Sequence, residues 1–301
     1  MSGLLTLRGL SRPVLGDLLD SAERYGKQLE GRDKESSELA GVTVTTVFFE
    51  PSTRTRLSFE KAAAHLGAHV MSFNPEVSSL EKGESLRDTV LTLSALGSDL
   101  LVVRHGGVGV PGLVARWTGL PVVNAGDGRG EHPTQTLADA LTMRKHFGAL
   151  EGLRMGLVGD IRNSRVARGH LWALPTLGVD VTLIGPRSLL PVANPWGVRI
   201  ETDLDSALEG LDVVYLLRVQ RERGAGAGFP SVSAYASRFG LTQTRLSRLH
   251  PSAVIMHPGP INRGVEICDA AADGPRSLIL EQVVNGVPIR MAVLAAAMGA
   301  E

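Results

Sequence analysis

The chain has almost no cysteine: Cys268 is the only one among 301 residues. An intrachain disulfide is excluded, and so is a thiolate metal cluster, which fits a reducing compartment. Neither sign of charge is in excess, lysine plus arginine and aspartate plus glutamate numbering 31 each. General polyanion binders carry a basic excess, so a nucleic-acid partner is not expected. A few clustered arginines could still build a small anion site. No uninterrupted apolar run approaches the ~20 residues that cross a bilayer. Residues 1–12 lack the basic-then-apolar pattern of a secretory leader. The Ala-rich stretch 291–298 is too short to span and reads as a buried helix. The expectation is a cytoplasmic protein with no membrane partner.

What the chain does have is a succession of short apolar, β-branched runs at 42–49, 69–73, 99–104, 121–124, 154–158, 180–184, 212–217 and 253–256. Most are continuously apolar, the pattern of strands covered on both faces. Helix-like segments separate them. One spans 13–25, with apolar Val14, Leu15, Leu18, Leu19 and Ala22 and Ser11 as N-cap. Another spans 137–147, with Leu137, Ala140, Leu141 and Met143 on one face. Alternation of this kind predicts an α/β fold with parallel sheets flanked by helices. At ~100–200 residues per domain, a chain this long suggests two. The strands group before and after the 137–147 helix, which puts the boundary near it. Two stretches stand apart: the charged 30–38, and the glycine-rich 221–228, which is either a disordered connection or a moving substrate loop.

Chemistry-bearing residues gather after the strands. Glu50-Pro51-Ser52-Thr53-Arg54-Thr55-Arg56 follows the first long run and leads into a helix through Phe59, Ala62 and Leu66. Ser52 and Thr53 then lie at a helix N-terminus, where unpaired N–H groups and the positive dipole end suit phosphate. A capped helix with surface arginines would look the same, but the carboxyl edge of a sheet favours a ligand. Arg104 ends the 99–104 run, placed for a ligand or a structural ion pair. The segment 124–135 (NAGDGRGEHPTQ) offers His132, Thr134 and Gln135 at the start of a helix, without the second ligand at i+3 or i+4 that a metal would need. The segment 159–168 (GDIRNSRVAR) is not a G-x-G-x-x-G fingerprint, which disfavours a dinucleotide. It carries Arg162, Arg165 and Arg168, suited either to a carboxylate ligand or to a solvated helix face. Arg218 and Gln220 alternate from a strand end and can share a side. The turn His257-Pro258-Gly259-Pro260 is rigid enough to present carbonyls. Taken together, these groups predict a cleft between two α/β domains for small anionic ligands.

The motifs FFEPSTRTRLSFE, LEKGESLRDT, GEHPTQTLAD, GDIRNSRVARG, LLRVQRER and HPGPINRGVEI, in this order, resemble the aspartate carbamoyltransferase family over nearly the whole chain. S-T-R-T-R with H-P-T-Q marks transcarbamoylases, and R-V-Q-x-E-R with H-P-G-P points to aspartate as acceptor. The resemblance implies a carbamoyl phosphate domain at 1–133, completed by a C-terminal helix at 286–301, and an aspartate domain at 134–285. It implies that Ser52, Thr53, Arg54, Thr55 and Arg104 hold the phosphate. Thr55, Arg104 and His132 would meet the carbonyl oxygen. Gln135 and the backbone of Pro258, Gly259 and Pro260 would meet the carbamoyl NH2. Arg165, Arg218 and Gln220 would grip aspartate, and Lys82 would enter from a neighbouring subunit of a homotrimer. A serine should accompany Lys82. Ser78 and Ser79 compete for that role, with Ser79 favoured. No cofactor or metal is implied. The HPGPINRG form resembles members that assemble with dihydroorotase rather than with a zinc-bearing regulatory chain. Ornithine carbamoyltransferases are the nearest alternative, but they carry H-C-L-P where this chain has His257-Pro258-Gly259-Pro260. A non-catalytic phosphate-binding scaffold would be expected to lose Thr55, Arg104 or His132, and all are present.

Overall fold

The computed structural model describes residues 3–31, 34–75, 83–219 and 231–300. Lys82, Ser78, Ser79, Gln220 and the 221–228 stretch lie outside the described residues. The chain divides into two compact units, Met1–Leu141 with Val283–Glu301, and Thr142–Gln282.

The first unit runs β1 (Gly3–Leu4), α1 (Arg12–Glu30), β2 (Thr43–Phe48), α2 (Thr53–His65), β3 (His69–Phe73), α3 (Leu86–Ala95), β4 (Leu100–His105), α4 (Val110–Thr118), β5 (Val122–Asp127) and the start of α5 (Pro133–Phe147). Its five strands are parallel, in the order β1-β5-β4-β2-β3. Val102, Val103, Val122 and Val123 in the central strands are fully buried, as continuously apolar runs require. The run at 69–73 behaves differently. As β3 it forms the sheet edge, and His69 and Val70 are exposed. Ser11 caps α1 in position, with proline in the first turn, but makes no side-chain cap bond.

The second unit runs from β6 (Arg154–Val158) through α6 (Arg165–Ala173), β7 (Asp180–Ile184), β8 (Arg199–Glu201), α7 (Leu204–Ala207), β9 (Val213–Leu216), α8 (Val232–Phe239), α9 (Gln243–Arg248), β10 (Val254–Met256) and α10 (Asp269–Asp273). Its five strands are also parallel, in the order β10-β9-β6-β7-β8. Gly156 leaves room for the Leu211 and Ile184 side chains, whose carbons a Cβ there would meet at 2.5 and 2.9 Å.

Helix α11 (Ile279–Met298) begins in the second unit and ends in the first. It starts well before the alanine-rich stretch, and its length and apolarity match those of a membrane span. However, most of it is buried, the pattern of a core helix. Ile289, Met291, Ala292, Val293 and Leu294 carry the packing.

Both sheets have a topological switch point, where successive connections leave in opposite directions. In the first unit it lies between β2 and β4, in the second between β6 and β9. Open parallel sheets bind ligands outside the carboxyl ends of the strands at such points.

Candidate active site

At the first switch point, β2 ends at Phe48, in register with Arg104 of β4. Beyond it, Ser52 is the N-cap of α2 and Thr53 its first residue. The Ser52 side chain makes no cap bond within the helix, so its hydroxyl is not committed there. Phe59, Ala62 and Ala63 bury the inner face of α2, which aims the helix start at the strand ends. Arg54 is exposed, and Thr55, one residue on, is buried. Arg104 is held where its strand ends: Nη1 donates to the Ala125 carbonyl at 3.1 Å, and Nε lies 3.8 Å from Glu50. The imidazole of the next residue, His105, packs edge-on against Phe49. Burial pushes its pKa down, with Glu50 opposing.

His132 comes from the loop after β5, next to β4 in the sheet. Its Nε2 lies 3.5 Å from the Thr55 hydroxyl, and the residue is 4% exposed. The loop that delivers it is folded around Asp127, whose carboxylate accepts from the Glu131 and Gly109 N–H groups, both at 2.7 Å, and from the Asn124 amide at 3.1 Å. Gly128 is needed in that loop, since its φ is 45° and a Cβ would collide with the Gly106 carbonyl. Glu131 is fastened in turn by the Leu7 N–H at 2.9 Å and by the Thr6 hydroxyl. The His132 carbonyl then accepts the first-turn N–H of Thr136, so α5 starts at Pro133, earlier than the 137 expected. Thr134 and Gln135 thus lie at the start of a helix, as expected, ahead of the apolar pattern that begins at Leu137. Gln135 sits in that turn, with its amide Nε2 2.9 Å from Asp139.

Thus β2, α2, β4 and the β5–α5 loop bring Ser52, Thr53, Arg54, Thr55, Arg104, His132 and Gln135 to one sheet edge. Arg54 and Arg104 bring two guanidinium groups there, and Arg54 adds to the burial that lowers the pKa of Arg290 on α11. Hydroxyls, a helix N-terminus and guanidinium groups make this edge an anion site.

At the second switch point, Arg165 opens α6, with Ser164 as N-cap accepting from the Ala167 N–H. Arg162 is exposed and Arg168 half-buried. Arg218 follows β9, half-buried, in line with the loop after β6. After β10 comes the turn, with Gly259 at φ 64° and a cis bond to Pro260. His257 Nδ1 accepts from the Gly259 N–H at 2.7 Å, so its proton sits on Nε2, 3.4 Å from Glu266. Glu266 is wholly buried and also accepts from the Asn262 N–H at 2.5 Å and its amide at 3.2 Å. That amide's second hydrogen goes to the Val219 carbonyl at 3.1 Å. One carboxylate therefore ties the 258–260 turn to the segment carrying Arg218. Sequence reading missed Glu266, Asn262, Asp127 and Asp139. Only the i,i+4 spacing of Gln135 and Asp139 carried a signal.

Family profiles match both units: the aspartate/ornithine carbamoyltransferase carbamoyl-P binding domain over residues 3–145, and the Asp/Orn binding domain over 151–297. The chain belongs to the aspartate/ornithine carbamoyltransferase family. Within that family it is 49% identical over 292 residues to the aspartate carbamoyltransferase catalytic subunit of Opitutus terrae, covering 97% of this chain and 93% of the relative. The corresponding subunit of Mycobacterium tuberculosis is 49% identical over 298 residues, with the same coverage. Among solved structures, aspartate transcarbamoylase from Trypanosoma cruzi in complex with carbamoyl aspartate and phosphate superposes with a TM-score of 0.90 at 29% identity, over 98% of this chain and 95% of that one. The catalytic subunit of M. Jannaschii aspartate transcarbamoylase gives 0.88 at 30% identity, over 99% and 98%. The fold expected from the sequence, two helix-flanked parallel sheets, is the fold of this family.

Proposed function

We propose that the protein transfers the carbamoyl group of carbamoyl phosphate to the amine of L-aspartate, giving N-carbamoyl-L-aspartate and phosphate, an early step of pyrimidine synthesis. The observation that carries this reading is the gathering of Thr55, Arg104 and His132 around one sheet edge beside the start of α2. A bound phosphate would take the N-terminus of α2, with Ser52, Thr53, Arg54, Thr55 and Arg104 as donors. The amine attacks the carbamoyl carbon and charge builds on the carbonyl oxygen. Thr55, Arg104 and His132 are donors suited to that oxygen, and preorganised donors there lower the barrier. The C–O bond to phosphate then breaks, and the departing phosphate takes the amine's proton. The reaction needs orientation more than a covalent intermediate, so no nucleophilic side chain is assigned. Gln135 and the 258–260 carbonyls are assigned to the carbamoyl NH2. Arg165, Arg218 and Gln220 are assigned to the aspartate carboxylates, since guanidinium groups match carboxylates geometrically. A cationic acceptor such as ornithine would call for a carboxylate at those positions instead. The active unit in this reading is a cytoplasmic homotrimer, with Lys82 and Ser79 reaching a neighbour's site, and it is open to assembly with dihydroorotase.

Purified protein with carbamoyl phosphate and either aspartate or ornithine tests the reaction, the ureido product being detected colorimetrically. Product from aspartate alone is expected, and product from ornithine alone would overturn the assignment of Arg218. Mixing inactive Lys82→Ala and Arg54→Ala proteins tests the shared site. Partial recovery of activity is expected, and no recovery after verified subunit exchange would refute it.

A further inference from the structure

Gln135 and Asp139 are one helical turn apart on α5, close enough to touch. The glutamine Nε2 donates to Asp139 Oδ1 at 2.9 Å, and Asp139 is wholly buried. A carboxylate can only accept, so it selects the NH2 end of the glutamine amide. The amide is planar, and its carbonyl oxygen therefore turns away from Asp139. Asp139 also acts electrostatically on Arg290, which is 5% exposed, with Nη1 donating to the Gly286 carbonyl at 2.7 Å and its guanidinium 5.0 Å from the Phe59 ring centroid. Burial lowers the arginine pKa to about 10 and Asp139 opposes that fall, so the arginine is a cation at neutral pH facing the carboxylate.

We propose that Asp139 is a specificity-determining positioning residue: it fixes the Gln135 amide with its oxygen toward the ligand, so that the site prefers an acyl phosphate bearing NH2 on its acyl carbon over one bearing CH3. The proposal rests on the reading above that Gln135 meets the carbamoyl group. An NH2 on the ligand donates to the fixed oxygen, whereas a methyl group leaves that oxygen without a partner. One neutral hydrogen bond of this kind is worth about a tenfold preference. In Asp139→Asn the Arg290 charge draws the asparagine oxygen. The asparagine NH2 then meets Gln135 and turns its amide around.

The test is calorimetric titration of the intact protein with carbamoyl phosphate, acetyl phosphate and inorganic phosphate. Wild type should bind carbamoyl phosphate at least tenfold tighter than acetyl phosphate. Asp139→Asn should lose about tenfold of that preference, the share of the Gln135 oxygen, while the 258–260 carbonyls keep theirs, and should keep its affinity for inorganic phosphate. Asp139→Glu, which remains an acceptor only, should retain part of the preference. An unchanged preference in Asp139→Asn overturns the proposal, as does an equal loss of affinity for all three ligands, which would mark a purely structural role. If the asparagine variant does not fold, the wild type decides by the side-chain NH2 proton resonances of Gln135, assigned by their absence in Gln135→Met. Resonances that stay in place when carbamoyl phosphate binds support an inward-facing NH2, and large shifts of both overturn it. Wild type that binds inorganic phosphate but neither acyl phosphate would instead sink the carbamoyl phosphate reading, and the proposal with it.

Discussion

Replacing Glu266 by alanine should separate the second unit's stability and acceptor binding from phosphate binding in the first. Its carboxylate accepts from the Asn262 N–H and amide and faces Nε2 of His257, all in a site without solvent exposure at Glu266. Hydrogen bonds to a charged acceptor contribute ~1.5–3 kcal/mol each, and a buried donor left without a partner costs ~1–3. The three contacts share one acceptor and do not add, so the expected loss is about 4 kcal/mol. For a unit of this size that corresponds to roughly 10 °C in Tm. Glu266→Gln keeps the shape and one acceptor and should lose about half as much. Because Asn262 also holds the Val219 carbonyl, the folded alanine protein should show a raised KM for aspartate while its affinity for inorganic phosphate stays the same. Urea unfolding and steady-state kinetics measure both effects. A stability change under ~0.5 kcal/mol, the range of an ordinary surface substitution, would refute the account of the network.

His132→Ala should reduce kcat by about 10²–10³, the usual loss for one donor to a developing oxyanion, with little change in stability. An unchanged kcat would remove it from the mechanism. Arg54→Ala, at an exposed position in the first turn of α2, should slow turnover at least a thousandfold, a loss of ~4 kcal/mol in barrier, and leave the unfolding midpoint in place. Alkaline stability should fall above pH ~10, the unfolded phenol pKa. Burial, reinforced by Glu38, raises the pKa of Tyr25, and burial, reinforced by Glu266 and Asp160, raises that of Tyr235. Both phenols keep their protons in the folded state at pH values where the unfolded chain releases them, so their contribution is complete below that pH and lost above it. Tyr235→Phe should flatten the decline measured by urea unfolding. It should also add about 1 kcal/mol at neutral pH, because the Tyr235 hydroxyl has no hydrogen-bond partner among the described residues.

The interior of each sheet was legible because strands covered on both faces must be apolar throughout. The runs at 154–158 and 180–184 coincide with β6 and β7. Edges were harder to read. The two residues of β1 are too short to show a period, and β8 is an exposed Arg-Ile-Glu held only by its pairing with β7. The apolar look of 69–73 suggested burial, whereas the strand order leaves β3 outermost. The residues expected to touch ligands stood out because arginine, histidine and hydroxyl groups recur after successive strands, although each by itself would also suit a cap, an ion pair or a solvated face. Their supports were not visible. Asp139 and Glu266 look like ordinary charges until the fold removes water from them, and the chain separates Glu266 from Val219 by more residues than any local pattern spans. Burial of a charge is a tertiary property, and sequence period carries no signal for it.

The route of the chain also sets an order of manufacture. Thr142–Gln282 is a single uninterrupted stretch, while the other unit is made of Met1–Leu141 and Val283–Glu301. As the ribosome works from the N-terminus, the stretch up to Leu141 is the piece that must wait, since Arg290 and the apolar end of α11 are synthesised only after the whole of the second unit. The later unit can close while the earlier one is still missing a helix from its core. A stop codon just after Gln282 would thus spare the acceptor half and disable the anion-binding half, although the whole acceptor unit separates the lost residues from the rest of the half they complete.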